Sequence, residues 1–407
     1  MKLFKSLLVA PATLGLLAPV TAIASEVNFN AISNYSDETI GIDIKSFTPS
    51  SNDSLLLSGG EGLVNTTDTT DSTDYDGGFS DTTTMSGTAG FLIGAESLDG
   101  DANEALMTEY FFEIDLNTSF TGDDKLNIEL ETGNHMGAGV GKDKEGIDWG
   151  SDNGDTLAVS DLNYTFPLGG WTVAVGDSMD ASKTWPNACA MNNMVDNLGD
   201  CGAANSVDLG GDVSFSASKE FGDGWEIGLG ISADSGETTR GMFTKEGDDM
   251  YGVALGYETD TYGFTVAYSM KEKTNLDTTG GTSEEWDAAD TQTDSTYYGL
   301  VGYYSPESVP VTFSGGVELT DVEGTDTDKT QWTVGVSTEL GEGTLSANIG
   351  TNGAIADNAA EEMAYDLSYE YPINDSTSIT PFVYIVEESA ANKDDAVGLG
   401  TFVSFSF

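Results

Sequence analysis

Residues able to make or break bonds are scarce in this sequence. The 407-residue chain holds one histidine and two cysteines, and 14 basic side chains against 69 acidic ones. His135 stands in a polar stretch with no serine or cysteine pattern beside it to activate, and no Gly-x-Ser-x-Gly nucleophile turn occurs. Gly-x-Gly runs fall inside alternating segments, so they read as slim strand faces rather than nucleotide loops. Asp99-Gly100-Asp101-Ala102-Asn103 and the aspartates of 65–84 could offer oxygen ligands, but neither stretch has the Gly-kinked spacing of an EF-hand. The sequence therefore predicts no enzyme, no cofactor and no metal site. A net charge of −55 excludes a nucleic-acid binder, because nothing here could neutralise a phosphate backbone.

Carboxylate is what the chain has in plenty, and its placement is patterned. Glu113, Asp115, Glu129, Glu131, Glu226, Glu318, Asp366 and Glu370 each fall, by parity, opposite apolar residues in alternating segments. Trp225-Glu-Ile-Gly-Leu-Gly-Ile-Ser-Ala233 alternates without error, and Trp332-Thr-Val-Gly-Val-Ser337 and Leu345-Ser-Ala-Asn-Ile-Gly350 behave alike. Period two means β-strand. One greasy face beside a face of glycine, hydroxyls and carboxylates suits a strand with lipid on one side and water on the other. Sixteen such segments can be counted from Met85 onward. Leu157 to Phe166 slips phase after Val159, which suggests a bulge, and Ile379 to Val386 is apolar on both faces, so its orientation is ambiguous.

The connections alternate between two kinds. Tight turns such as 121–124, 167–170, 221–224 and 341–343 are separated by long polar loops such as 133–154, 177–210 and 270–294. Aromatics flank the tight turns: Phe166 and Trp171, Phe221 and Trp225, Tyr257 and Tyr262, Tyr369 and Tyr371. Rings at that level match an interfacial girdle. In hydrocarbon an unpaired amide costs several kcal/mol, so such a sheet must close on itself. The expected fold class is all-β: a transmembrane antiparallel barrel of about 16 strands over 85–407, with short periplasmic turns and long external loops. Lys2 and Lys5 before an apolar run and Ala22-Ile23-Ala24 read as a signal peptide, 1–24. Residues 25–84 read as a polar, acidic, largely disordered segment, since a Thr/Ser/Asp/Gly tract cannot bury enough apolar surface to order itself.

The opening MKLFKSLLVAPATLGLLAPV, the stretch Gly87-Thr-Ala-Gly-Phe-Leu-Ile-Gly94, and Tyr110 to Phe120 followed by Glu131-Thr-Gly-Asn134 resemble cyanobacterial outer-membrane porins, the iron uptake porin family. Residues 25–84 are too short and polar for the S-layer-homology domain that many of those proteins carry there. The resemblance implies a cell outer-membrane location, a homotrimer, contacts with outer-membrane lipid and lipopolysaccharide, and Phe407 as the signal for the barrel-assembly machinery. It also implies that the loop over 177–210 folds inward as a constriction.

Cys189 and Cys201 both fall in that loop, and an exported chain meets an oxidising compartment, so a disulfide is expected; two free thiols or a metal pair are the alternatives. The eight carboxylates named above are the expected pore lining, and Arg240, the single arginine, falls in a predicted loop. Rings of carboxylates raise the local concentration of cations. The functional expectation is a water-filled, cation-preferring channel for passive diffusion of small hydrophilic solutes and inorganic ions, iron among the candidates. The alternative is a structural or surface-attachment barrel without an open pore.

Overall fold

In the computed structural model the described residues are 82–97, 106–134, 155–234, 236–237, 241–244, 248–272, 294–323, 328–387 and 395–407. The expected signal and acidic segments up to residue 81, Asp99 to Asn103, His135 and Arg240 lie outside them. The first strands are β1 (Thr83–Ser97), β2 (Met107–Thr118), β3 (Lys125–Gly133), β4 (Ala158–Leu168), β5 (Trp171–Asp177) and β6 (Val213–Phe221). Next come β7 (Trp225–Asp234), β8 (Asp248–Glu258), β9 (Tyr262–Lys271), β10 (Ser295–Tyr304), β11 (Val311–Val322) and β12 (Lys329–Leu340). The set ends with β13 (Gly343–Thr351), β14 (Ile355–Ala356), β15 (Met363–Asn374), β16 (Thr377–Val386) and β17 (Ala396–Ser406).

Each strand pairs antiparallel with its sequence neighbour, and β17 returns to pair with β1, Thr88 opposite Ser406 through Ser97 opposite Val397. The two-residue β14 only extends the β12 edge, and β13 passes its ladder directly to β15. Sixteen strands therefore make the wall of a closed barrel, out of the 17 that form the sheet. No edge is left for solvent or lipid to reach.

The barrel is apolar outside and polar inside. On the outer face Phe91 is 53% exposed, Val334 52% and Leu399 60%, whereas the inward Ser216, Thr265 and Thr333 are fully buried. That inversion of the usual protein pattern needs a hydrocarbon surround to be stable, because such a continuous greasy surface would not stay dispersed in water.

The local irregularities have sequence causes. Between β3 and β4 the register shifts where Glu129 and Leu130 face Asp161 and Val159, so Ser160 is the extra residue and the expected bulge is present. Leu168 pairs with Trp171 across Gly169 and Gly170, whose φ of 61° and 81° make a two-residue primed turn that a side chain would strain. On β16 the ambiguity resolves: Phe382, Tyr384 and Val386 point inward and are buried, while Val383 and Ile385 point outward. At the tight-turn end, Phe221 and Trp225 stack at 6.4 Å, Trp225 and Tyr257 lie 4.9 Å apart, and Tyr257 meets Tyr262 at 5.9 Å.

Candidate functional site

The connection from β5 to β6, here L3 (178–212), turns into the barrel instead of away from it. Its root is pinned by Lys183, whose Nζ lies 2.6 Å from Asp161 Oδ2 on β4. Burial pulls the Lys183 ammonium down, but the hydrogen bond and charge of Asp161, with Glu129 and Asp180 behind it, outweigh this and raise its pKa. Beyond the root, Trp185 lies flat against β7 and β8, where a Cβ on Gly228 would come within 2.6 Å of its ring. The inward glycines of these strands are the floor of a slot for an indole.

Hydrogen bonds to the wall then carry the loop across the lumen. The Ala188 amide donates to Thr265 Oγ1 at 3.1 Å and the Ala190 amide to Ser314 Oγ at 2.9 Å. The amides of Met194 and Val195 both donate to Asp366 Oδ2, at 2.8 and 3.2 Å, and Asn348 Nδ2 donates to Asp366 Oδ1 at 2.7 Å. On the return limb Glu318 accepts from Asn205 Nδ2 at 2.9 Å, and from the amide and hydroxyl of Ser206, both at 2.8 Å. Val195 and Leu198 bury themselves among Leu92, Phe382, Tyr384, Val386 and Ala396. Tyr384 also donates to Glu96. Within the loop Cys189 and Cys201 form a disulfide with their Cα atoms 5.7 Å apart, which ties the outgoing limb to the return limb.

This path divides the eight sequence-predicted carboxylates into three groups. Glu318 is 0% exposed and Asp366 5%, both covered by L3 and spent on its backbone. Glu113, Asp115, Glu129 and Glu131 stand on the facing wall and keep partial solvent access. Register places Glu113 directly opposite Glu131, and Asp115 directly opposite Glu129. Like charges so placed repel. Asn127 donates to Asp115 at 2.7 Å and Ser160 to Glu129 at 2.8 Å, which holds two of the four in position. Glu226 sits opposite Glu220 at the tight-turn end, and Glu370 is exposed near the β15–β16 turn.

The loop carries its own acidic centre. Burial, then the charge of Asp208, pushes Asp180 up to about 6, with Lys183 opposing. Burial and Asp208 push Asp200 up to about 6 as well, with the Asn187 amide opposing. Among the described residues no group of acidic, histidine and cysteine side chains is arranged to hold a metal ion. Trp185, Lys183, Thr265 and Ser314 were not singled out from sequence. The available signal was the run of inward glycines on β7 and β8, which is slimmer than a water-facing wall requires.

No family model matches the sequence, and no curated protein matches it. Solved structures do resemble the fold. An anion-selective porin from Comamonas acidovorans aligns at a TM-score of 0.54 and 12% identity, over 80% of this chain and 99% of that one. OprB of Pseudomonas putida, at high pH, aligns at 0.59 and 9% identity, over 80% of this chain and 94% of that one. A loop-deletion mutant of OmpT, an outer membrane protein of Vibrio cholerae, aligns at 0.53 and 13% identity, covering 80% and 100%. The fold is that of outer-membrane porins.

Proposed function

We propose that the chain is an outer-membrane porin whose lumen, narrowed by L3, passes small hydrophilic solutes and ions by passive diffusion with a preference for cations. The observation that carries the cation preference is the pair of facing carboxylate pairs, Glu113 with Glu131 and Asp115 with Glu129, on the wall opposite L3. Lys183 acts on Glu113 and Glu129 through its charge, and that charge is matched by Asp161. Selectivity is set by side chains rather than by fold, so an anion-selective relative of the same architecture is no obstacle. The mechanism has no covalent step: L3 sets the size limit, and the carboxylates set the sign of the charge.

The sequence resemblance adds a homotrimeric assembly, Phe407 as the signal to the assembly machinery, and inorganic iron as a cation to be tested. The test is reversal potential across a planar bilayer in a KCl gradient. Cation preference is expected for the wild type and a smaller one for Glu129→Gln/Glu131→Gln. A unit charge about 7 Å from the ion path contributes about 0.6 kcal/mol in water, close to a threefold change in permeability ratio per carboxylate. Anion preference in the wild type would overturn the charge reading, and absence of any stable current steps would overturn the channel itself.

A further inference from the structure

At the tight-turn end of the lumen, beneath the L3 tip, a cavity of about 230 Å³ opens between the loop and the wall of β15 to β17. It has room for about eight waters, or for one ring-bearing molecule. Its chemistry differs from the rest of the polar lumen. Phe402 and Met194 give it an apolar surface, and Glu370, Asn192, Ser378 and Thr380 supply polar groups around that surface.

The aromatic part is built rather than incidental. Phe402 stacks on Phe111 with centroids 5.9 Å apart and planes at 27°. Both rings lie over Gly90, where any Cβ would collide with each of them. A glycine in β1 thus lets two strands on either side lay rings along the inner wall. Lipid contact does not require these inward rings, and Phe402 and Met194 pack against the neighbouring cluster that seats L3 while staying only partly buried, so each keeps a surface open to the cavity. Glu370, on the same inward row as Asp366 and Ser368, is exposed, and among the described residues no lysine pairs with it.

We infer that this cavity is a subsite for a small organic cation with an apolar body, an alkyl- or arylammonium, held by Glu370 at its charge and by Phe402 and Met194 along its hydrocarbon. Three features of one half-open cavity converge on that class: a free carboxylate for the ammonium, an aromatic ring for cation–π and apolar contact, and a volume that admits one ring. The inference deepens the channel reading and rests on it, since solutes must reach the cavity through the lumen.

The experiment is isothermal titration of benzyltrimethylammonium into the detergent-solubilised full chain, with benzyl alcohol as the neutral comparison. Wild type is expected to bind the cation in preference to the alcohol. Glu370→Gln and Phe402→Ser are each expected to weaken the cation by about fivefold, the scale of one exposed charge or ring contact. E370Q alters an exposed side chain, so it carries the test should F402S fail to assemble. No binding by wild type, binding by both variants as tight as by wild type, or alcohol binding as tight as the cation would each overturn the assignment. Titration reads binding without current, and the KCl reversal potential of the wild type is read independently of it, so failure of the subsite and failure of the channel are separate results.

Discussion

Replacing Glu318 with alanine should release the return limb of L3 from the wall. Its carboxylate is fully buried and accepts three hydrogen bonds, from Asn205 Nδ2 and from the amide and hydroxyl of Ser206. Hydrogen bonds to a charged group contribute about 1.5–3 kcal/mol each, and each buried donor left without an acceptor costs about 1–3 kcal/mol. The loss is therefore roughly 4–8 kcal/mol, enough to loosen a short segment whose other holds are the Ser269 hydroxyl on the Asn205 carbonyl and the buried Ala203 and Val207. The rest of the loop keeps Asp366, Trp185 and the disulfide, so detachment should be confined to the stretch around the helical turn Ala204–Val207. Planar-bilayer recording would show this as larger open-channel noise and a higher mean conductance, with normal barrel assembly confirmed by migration on an unheated gel. Glu318→Gln should fall between, because an amide can accept at only one of the two oxygen positions. An E318A trace indistinguishable from wild type, in assembled protein, would refute the view that this buried carboxylate anchors the constriction.

Other outcomes follow from the same geometry. Reducing the Cys189–Cys201 bond, or replacing both cysteines with serine, removes about 3 kcal/mol of constraint in the chain-entropy view and should increase current noise without unfolding the barrel. Asp180 and Asp200, both raised to about 6 from 3.8, bind protons more tightly in the packed loop than in the unfolded chain. Loop stability is therefore greatest below about pH 4 and falls as pH rises through about 6, so closure noise should grow across that window and flatten in Asp180→Asn/Asp200→Asn. Val334→Lys, on the outer face, should cost about 2–4 kcal/mol if placed near the mid-plane of a bilayer, read by urea unfolding in lipid. A neutral effect there would argue that the surface faces water.

The barrel was legible because its rule is local. Period two marks each strand, parity assigns its faces, and alternating loop lengths give the up-and-down order, so the positions of Trp225 and Leu399 on the outside needed no tertiary information. The β4 bulge was legible for the same reason, as a slip in parity at Val159. The orientation of β16 was not, because both of its faces are apolar. Only the packing of Val195 and Leu198 against Phe382 and Val386 decides between them. The carboxylates illustrate the limit most clearly. Parity placed Glu113 and Glu318 alike on the inner face, but nothing in sequence spacing says that L3 crosses one and leaves the other open. That distinction is a contact between residues more than a hundred positions apart, such as Ser206 with Glu318.

The ring of strands closes between the earliest and latest members of the set. Gly87 and Phe407 exchange both of their backbone hydrogen bonds, at 2.9 and 3.0 Å, and the Phe407 ring fills the space over that glycine. The β1 edge has its β2 partner soon after synthesis, but its other side stays bare until β17 has been made and brought back around the whole circumference. Contacts of such long sequence separation form slowly. Throughout that interval the unfinished sheet exposes both a sticky margin and a hydrocarbon face, so the time at greatest risk of misassembly is set by this one seam, whatever the strength of the hairpins already in place.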